Sequence, residues 1–320
     1  MNEVYQIITD KMLELLKQGQ IPWKMPWVNG VPQNLVTRKP YRGINVLLTM
    51  MKGYGSPYWL TFKQAQDLGG TIKKGSKSTL IVFWKFLPKL DETGKPVLEK
   101  DGKVKQVPML RYYNAFNLMQ TEGIEHPSIA PASPARDLAK AQEIVEQAKI
   151  CPIQEGAKLA AFDLKNDIIL MPPRAQFRSQ ELFYHTLFHE MTHATGHSSR
   201  LARPTLGAKR STPEYAKEEL IAEIGASFLS NQAGIMDKIT FEHPAGYIQD
   251  WIVALENDPL MVVQAAGQAQ KATDLIQGIS WENNEQFTPD IESGPVAVPV
   301  KPSFQKPVAL STQGSKGFSL

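Results

Sequence analysis

Residues 179–197 have the sequence SQELFYHTLFHEMTHATGH, and this stretch determines how the rest of the chain is interpreted. Its apolar side chains recur at helical spacing, which predicts a helix that Gly196 ends. His189 and His193 are four residues apart and share one face of that helix, so both imidazoles can bind one metal ion. Glu190 follows the first histidine, and we expect it to be the general base that takes a proton from the attacking water.

A metal site of this kind needs a third protein ligand, which the stretch itself does not supply. A third histidine in the H-x-x-G-x-x-H pattern would fall at position 199, where this chain has Ser199. Residues 214–231 predict a second long helix, on which Glu219 and Glu223 share a face. Helical facing favours Glu219 as the third ligand and Glu223 as the support of a ligand histidine, with the reverse assignment left open. Glu218 lies on a neighbouring face and is expected to be solvated.

Other histidines and tyrosines on or near these helices are less favoured as metal ligands or catalytic groups. His185 lies one turn before His189 and is expected to be a core histidine or to support a ligand. His197 follows the end of the helix, in the wrong place for a ligand. Tyr215 and Tyr247 could each donate a hydrogen bond to an oxyanion, but packing is the simpler interpretation for both.

Zinc is the metal that this set of ligands favours. Two imidazoles and a carboxylate are typical of catalytic zinc sites, although another divalent metal such as Mn²⁺ can bind the same donors. The alternative is a chance HExxH match on a helix whose histidines are structural. Two features favour a metal site: apolar residues can bury the helix, and an apparent strand at 167–170 precedes it.

Basic and acidic residues are divided unevenly along the chain. The net charge is +3, but residues 1–120 contain 18 Lys and Arg against 8 Asp and Glu. The same residues hold 14 of the 28 aromatic side chains. Basic side chains neutralise phosphates and exposed rings can stack on bases, so the composition favours a nucleic-acid-binding part joined to an acidic part.

Three basic segments of the first part are candidate contacts with single-stranded DNA. Each combines cations with Gly, Pro or aromatic residues in a predicted loop or beside a strand. No helix-turn-helix or zinc-finger pattern for a duplex groove is evident, which favours single strands. A lysine-rich fold with buried tryptophans is the alternative. The candidate residues are Trp23, Lys24, Trp27, Arg38, Lys39, Tyr41, Arg42, Lys73, Lys74 and Lys77.

The order of the predicted elements indicates an α+β fold in two domains. Residues 1–125 form the α+β domain that is expected to bind single-stranded DNA. A Pro/Ala/Ser-rich linker at 126–135 leads to a mostly helical domain at 136–282, which carries the metal site. Residues 283–320 are rich in Pro, Gly and Ser without periodicity, which predicts a disordered tail.

Individual elements follow from periodicity and from cap residues. Thr61 is a plausible N-cap for a short helix. Residues 79–86 are β-branched and aromatic, which favours a strand. The other expected helices are 3–18, 45–52, 136–149, 179–195, 214–231, 246–257 and 258–277, and the other expected strands lie at 110–117 and 161–170.

Several classes of protein are disfavoured by composition. The single cysteine, Cys151, excludes an internal disulfide framework and a cysteine-based zinc finger. The N-terminus lacks the features of a signal peptide, and no apolar run approaches the ~20 residues that span a bilayer. We therefore expect a cytoplasmic protein with no membrane partner.

Several motifs in fixed order resemble those of one family, the ArdC antirestriction proteins of mobile elements. The resemblance covers residues from about 3 to 278, and the N-terminal part is also similar to that of TraC-type plasmid primases. The motifs are PWKMPW at 22–27, YRGIN at 41–45, YWLTFKQAQDLGG at 58–70, IKKGSKST at 72–79, HEMTHATGHSSRL at 189–201 and EELIAEIGASFL at 218–229.

This resemblance implies both a fold and a function. It implies an N-terminal domain that binds single-stranded DNA and a C-terminal zincin-like metallopeptidase domain. By motif, it assigns metal binding to His189, His193 and Glu219, and the general base to Glu190. It also implies protection of incoming DNA from restriction, with a host restriction component as a candidate protein substrate. Two alternatives stay open: a single-strand-binding protein with a structural metal site, and an accessory protein of a plasmid or phage primase or replication apparatus.

Overall fold

The predicted α+β class is confirmed, with eight α-helices and nine strands among the described residues. The predicted tail at 283–320 lies outside the described residues. The computed structural model describes residues 3–26, 30–99, 102–127, 134–210, 212–241 and 245–280.

The first part of the chain contains three helices and two sheets. A four-stranded sheet has the order β1-β2-β5-β4, with β1 parallel to β2 and the other pairs antiparallel. Strands β3 and β6 form a separate antiparallel pair. The elements are α1 (Glu3–Lys17), β1 (Gln33–Asn34), α2 (Ile44–Met50), β2 (Tyr58–Leu60), α3 (Phe62–Asp67), β3 (Thr71–Ile72), β4 (Thr79–Pro88), β5 (Gln106–Asn117) and β6 (Thr121–Glu122).

The second part contains five helices and a three-stranded sheet. The sheet has the order β7-β9-β8, with β7 parallel and β8 antiparallel to β9. The elements are α4 (Pro134–Ala148), β7 (Ile153–Glu155), β8 (Ala161–Asp163), β9 (Ile168–Met171), α5 (Gln180–Thr195), α6 (Pro213–Ala233), α7 (Ala245–Asn257) and α8 (Met261–Ile276).

Side-chain caps fix the start of three of the predicted helices, α3, α5 and α6. Thr61 forms a capping box with Gln64 at the start of α3, as its position suggests. Ser179 accepts a hydrogen bond from the Leu182 amide at the start of α5, and Thr212 caps α6 in the same way. The sequence pattern does not predict β1, β2, β3, β6 and β7, because a run of two or three residues carries no measurable period. Strand β8 and most of β9 lie within the strand expected at 161–170.

One hydrophobic core joins both parts of the chain, and we refer to it as the joint core. Ile8 of α1 and Leu47 of α2 belong to the same buried cluster as Ile221 of α6, Trp251 of α7 and Val262 of α8. Because these side chains exclude water together, they stabilise the two parts as one body. The boundary of the two functional domains at 126–135 stays a prediction.

A second core surrounds the helix that carries the HExxH residues. Phe183, Phe188 and Met191 of α5 pack in one buried cluster with Ala226 and Leu229 of α6. Helix α6 therefore contributes to both cores, with Ile224 and Phe228 in the joint core. This position makes α6 the wall between α5 and the first part of the chain.

The close approach of α5 and α6 depends on Gly225. A Cβ atom at Gly225 would lie 2.6 Å from the Thr192 side chain. Thr192 cannot swing away freely, because its Oγ1 donates to the Phe188 carbonyl of its own helix at 2.7 Å. The two helices can therefore approach closely only at a residue without a side chain.

We expect Gly225→Ala to lower the free energy of unfolding by about 1–3 kcal/mol, because it overpacks this contact. Gly267→Ala is the matched control, since Gly267 is also helical but a Cβ there meets nothing within 4 Å. The control should be neutral or stabilising by about 0.5–1 kcal/mol. Urea unfolding measures both variants, and equal stabilities would contradict the close-contact argument.

Candidate metal centre

Helices α5 and α6 bring His189, His193 and Glu219 together. One potential ligand atom from each residue lies within 4.8 Å of the others. The Nε2 atoms of the two histidines are 3.1 Å apart, and the Glu219 carboxylate lies 3.7 Å from His189 and 3.8 Å from His193. A tetrahedral metal with ligand distances of about 2.0–2.2 Å separates its ligand atoms by about 3.3–3.6 Å. The three residues therefore fit a divalent metal.

The histidines and carboxylates of the cluster shift each other's pKa values. Burial lowers the pKa of His189, but the hydrogen bond with Glu219 and the charges of Glu223 and Glu190 outweigh it and raise that pKa to about 9. Burial also opposes ionisation of Glu219, yet His189 and His193 lower its pKa. The carboxylate is therefore ionised at neutral pH, as a metal ligand must be.

Glu190 is buried beside the ligands and has no competing partner among the described residues. Its side chain is 8% exposed, and it makes no hydrogen bond or ion pair with another described residue. It follows His189 on α5, and its charge contributes to the raised pKa of that histidine. A carboxylate in this position can accept a proton from a water molecule.

Glu218 supports His193, so the prediction that Glu218 is solvated is wrong. Its side chain is 5% exposed, and its Oε1 lies 3.1 Å from Nδ1 of His193. An ionised carboxylate can only accept, so Nδ1 carries the hydrogen and Nε2 keeps its lone pair for the metal. Burial opposes ionisation of Glu218, but His193 and Arg203 lower its pKa to about 2.

Arg203 and Thr205 hold Glu218 in place. The guanidinium of Arg203 contacts both carboxylate oxygens at 3.1 and 2.6 Å, and Thr205 donates to Oε2 at 2.5 Å. Arg203 also donates to the Thr195 hydroxyl and to the Thr192 carbonyl near the end of α5. The guanidinium therefore neutralises a buried carboxylate and also donates hydrogen bonds to groups at the end of α5.

Gly196 makes room for this guanidinium. A Cβ atom at position 196 would lie 2.7 Å from Arg203. Gly196 thus both ends α5, as predicted, and allows Arg203 to reach Glu218. The sequence offers one signal for this pairing, because a buried Glu218 needs a cation and the loop after α5 carries Arg200 and Arg203.

Glu223 lies near the cluster and is paired with Lys24. The Lys24 ammonium is 3.2 Å from the Glu223 carboxylate and 4.4 Å from the centre of the Phe241 ring. Lys24 was expected on a DNA-binding surface, but its side chain is 11% exposed and engaged in this ion pair, so that prediction is wrong. Support of a ligand histidine by Glu223 stays a prediction, because the observed support of His193 comes from Glu218.

The remaining histidines and tyrosines occupy different surroundings. His185 is a core histidine: Nδ1 lies 2.9 Å from the Ser230 hydroxyl, and burial lowers its pKa to about 3. His197 lies 2.7 Å from Ser199 and outside the cluster. Tyr215 is half-buried beside Glu219, and burial and that carboxylate both raise the pKa of its hydroxyl. The Tyr247 side chain lies outside the described residues.

Two aromatic residues predicted to contact DNA are core residues instead. Trp23 is 0% exposed and packs edge-on against Trp251 with ring centroids 5.6 Å apart. Tyr41 is 2% exposed in a cluster with Trp59. Neither ring can stack on a base without unfolding its surroundings, so these two predictions are wrong. Trp27 lies outside the described residues.

The other predicted DNA contacts are cations, and five of them are exposed. Arg42 is the exception, since it is part-buried and forms an ion pair with Asp274. Arg38 lies 4.9 Å from the centre of the Tyr58 ring, and Lys73 donates to the Met119 carbonyl. The exposed cations are Arg38, Lys39, Lys73, Lys74 and Lys77.

Among the described residues, no helix is both long and apolar enough to cross a bilayer.

Comparison with known protein families finds a match for each part of the chain. Residues 2–116 match the family described as the N-terminal domain of anti-restriction factor ArdC. Residues 139–268 match the family described as zincin-like metallopeptidase. The second match contains all three clustered ligands and Glu190.

Individual relatives agree with these families. A DNA primase TraC of Escherichia coli is 34% identical over 286 residues, which is 85% of this chain but 20% of the primase, so the chain spans about a fifth of that relative. The crystal structure of metal-free antirestriction protein ArdC from plasmid R388 is 35% identical, with a TM-score of 0.70 over 86% of this chain and 97% of that one. Its Mn(II)-bound structure covers the same shares with a TM-score of 0.66.

The R388 protein establishes the family of this chain, because the match covers 97% of that protein at 35% sequence identity. Both family matches lie in the same order in this chain as the two predicted parts. The chain therefore belongs to the ArdC family of antirestriction proteins.

Proposed function

We propose that this protein is a metallopeptidase that also binds single-stranded DNA and protects the DNA of a mobile element from host restriction. The observation that carries the catalytic half is the cluster of His189, His193 and Glu219, with the Glu190 carboxylate beside it. The family match to zincin-like metallopeptidases supports the same reaction class. The proposed reaction is hydrolysis of a peptide bond in a protein substrate, and our candidate substrate is a host restriction component. We propose that the reaction takes place in the cytoplasm.

Each residue of the centre has a separate task in this proposal. A divalent metal, when bound, supplies a Lewis acid that polarises the substrate carbonyl. Glu190 takes a proton from the attacking water at its carboxylate and returns it to the leaving amine. Glu218 keeps Nδ1 of His193 protonated, so that Nε2 faces the cluster.

Zn²⁺ is the metal that we propose, with Mn²⁺ as the second candidate. Two nitrogen donors and one oxygen donor match the ligand sets of catalytic zinc sites. The R388 protein has a structure described as Mn(II)-bound, which favours testing both metals. Affinity generally rises from Mn²⁺ to Zn²⁺ for nitrogen and oxygen ligands, so we expect Zn²⁺ to bind more tightly.

Glu190→Gln is expected to keep the metal and lose hydrolysis, because the amide cannot accept a proton. The rate should fall at least ~10²-fold, the lower range for a general base. Zinc content and cleavage of a fluorescent casein measure the two properties separately. Glu181→Gln, a half-buried site in the first turn of the same helix, is the control and should keep both. Wild-type hydrolysis by Glu190→Gln would contradict this role, and no cleavage by the wild type would favour a structural metal site.

The DNA-binding half of the proposal depends on the exposed cations of the first part. Lys73, Lys74 and Lys77 follow one another around the turn after β3, and all three are exposed. Arg38 and Lys39 occupy the loop after β1. Basic side chains such as these neutralise phosphates and release counterions. The family match to the ArdC N-terminal domain and the similarity to TraC support a DNA-handling role for these residues.

The triple variant Lys73→Ala, Lys74→Ala, Lys77→Ala should bind single-stranded DNA less tightly and with a weaker salt dependence. Each lost phosphate contact reduces the salt slope by about 1, so the slope should fall by about 3 if all three contribute. Fluorescence anisotropy of a labelled oligonucleotide at several salt concentrations measures both effects. The matched control replaces three exposed lysines of the second part, Lys140, Lys158 and Lys165. Identical losses in both triple variants would indicate a general charge effect and contradict the site.

A further inference from the structure

A cavity of about 690 Å³ lies between the first part of the chain and the outer faces of α6 and α8. Its walls come from the loop before α2, from β4, and from one side of α6 and α8. Neither the metal ligands nor Glu190 line it. Its volume lies within the range of sites for small ligands, about 300–1,000 Å³.

Cations dominate the charge of this cavity. Arg42, Arg203, Lys217 and Lys271 line it, and no Asp or Glu is among the described lining residues. Two of these cations are offset by neighbouring carboxylates: Asp274 pairs with Arg42, and Glu218 pairs with Arg203. Among the described residues no carboxylate pairs with either lysine: Lys217 donates a hydrogen bond to the neutral side-chain amide of Gln264, and Lys271 makes no hydrogen bond or ion pair. The cavity therefore holds an excess of about two positive charges, which suits a phosphate.

Neutral groups in the same cavity could contact a base and sugar. Gln264 and Gln268 on α8 present amide groups. The Gln264 amide oxygen accepts from Lys217, so its NH₂ group is the part that can donate to a ligand. Tyr5 and Phe83 are half-buried aromatic side chains in the walls. A phosphate site flanked by amides and rings matches the groups of a nucleotide better than those of an inorganic anion.

We propose that this cavity binds a nucleoside phosphate, either as a free nucleotide or as part of a DNA strand. Lys217 and Lys271 contact the phosphate, and the glutamine amides and aromatic rings contact the base. Where the ligand belongs to a strand, the inference rests on the proposed binding of single-stranded DNA and gives that binding a second, inner contact. A free nucleotide would be a separate ligand of the protein.

Gly267 provides a way to close the cavity without disturbing the fold. It lies on α8 in the cavity wall, and a Cβ atom there would meet nothing within 4 Å. Gly267→Trp should therefore fill the cavity, while Gly267→Ala leaves it open. Lys271→Glu reverses the charge at the unpaired cation, and Lys140→Glu makes the same change at an exposed lysine of α4.

The experiment titrates the full-length protein with two probes, deoxythymidine triphosphate and a labelled twelve-nucleotide (dT) strand. Gly267→Trp and Lys271→Glu should each weaken binding of at least one probe about tenfold or more. Gly267→Ala and Lys140→Glu should change it less than about twofold. Unchanged thermal unfolding and zinc content in all four variants show that the fold and the metal centre are intact.

The two probes separate the sources of the ligand and the two proposals. Cavity-dependent binding of the triphosphate supports a free nucleotide, and cavity-dependent binding of the strand alone supports a DNA segment. If both cavity variants bind the strand like the wild type and no triphosphate binding depends on the cavity, the inference is overturned, while the proposed strand binding stands. If the wild type binds neither probe, both are overturned.

Discussion

Glu219→Gln is expected to lower the affinity for Zn²⁺ about a thousandfold, while Glu223→Gln keeps most of it. The carboxylate of Glu219 lies within 4 Å of both ligand histidines, and an amide is a far weaker ligand for zinc. Structural zinc sites bind with about 10–16 kcal/mol through four ligands, so one ligand accounts for roughly 2.5–4 kcal/mol. The upper end of that range corresponds to about a thousandfold in affinity.

Competition with a chromophoric chelator measures this affinity, and zinc content after dialysis gives an independent check. Glu214→Gln is the matched control, since Glu214 lies on the exposed face of the same helix. Retention of zinc in Glu219→Gln together with its loss in Glu223→Gln would reverse the assignment. Hydrolysis should disappear together with the metal in Glu219→Gln and should persist in Glu214→Gln.

Arg203→Met is expected to lower the free energy of unfolding by about 3–5 kcal/mol, because it leaves a buried carboxylate without its guanidinium. The side chains of Arg203 and Glu218 are 2% and 5% exposed, so water cannot replace the lost partner. Lys17→Met removes a comparable contact to Glu256 at the surface, where both side chains are about half exposed. That control should change stability by less than about 1 kcal/mol.

A double variant tests whether the cost arises from the orphaned charge. Adding Glu218→Leu to Arg203→Met removes the carboxylate as well, and much of the lost stability should return. Metal affinity should not return, because His193 has then lost its support. Simultaneous recovery of stability and metal affinity would contradict the role of Glu218 at Nδ1.

The same carboxylate predicts how stability depends on pH. The folded pKa of Glu218 is about 2, below its ordinary value of 4.5. A carboxylate with a lowered folded pKa contributes stability that is fully present above pH 4.5 and is lost as the pH falls toward 2. The wild type should therefore be more stable than Glu218→Gln by about 3 kcal/mol at pH 6, and the difference should shrink below pH 4.5. Urea unfolding between pH 3 and pH 7 measures this difference.

Local patterns in the sequence were sufficient for the helices and for three residues of the centre. The i, i+4 spacing of His189 and His193 fixes their common face wherever the helix lies. Helical facing distinguished Glu219 from Glu223, and Ser179 and Thr212 mark where α5 and α6 begin. These features depend on a few neighbouring residues, so the sequence alone can reveal them.

Contacts between distant segments could not be predicted in the same way. Glu218 looked solvated because its position on the helix does not reveal that Arg203, from a preceding loop, buries and pairs it. Trp23, Tyr41 and Lys24 have the residue types of a DNA-binding surface. However, Trp23 lies in the joint core, Tyr41 lies in the small cluster with Trp59, and Lys24 pairs with Glu223. Composition indicates which residues are available for a surface, whereas tertiary packing decides which of them remain exposed.

Helix α6 carries Glu219 on one side and packs its apolar side chains into both cores. A metal that binds only the folded chain stabilises everything that unfolds together with its ligands. Loading zinc should therefore slow amide hydrogen exchange in α1 and α2, far along the chain from the histidines, and chelation should expose those helices to proteases. Metal supply in the cell would then set how long the whole protein survives, including the first part of the chain.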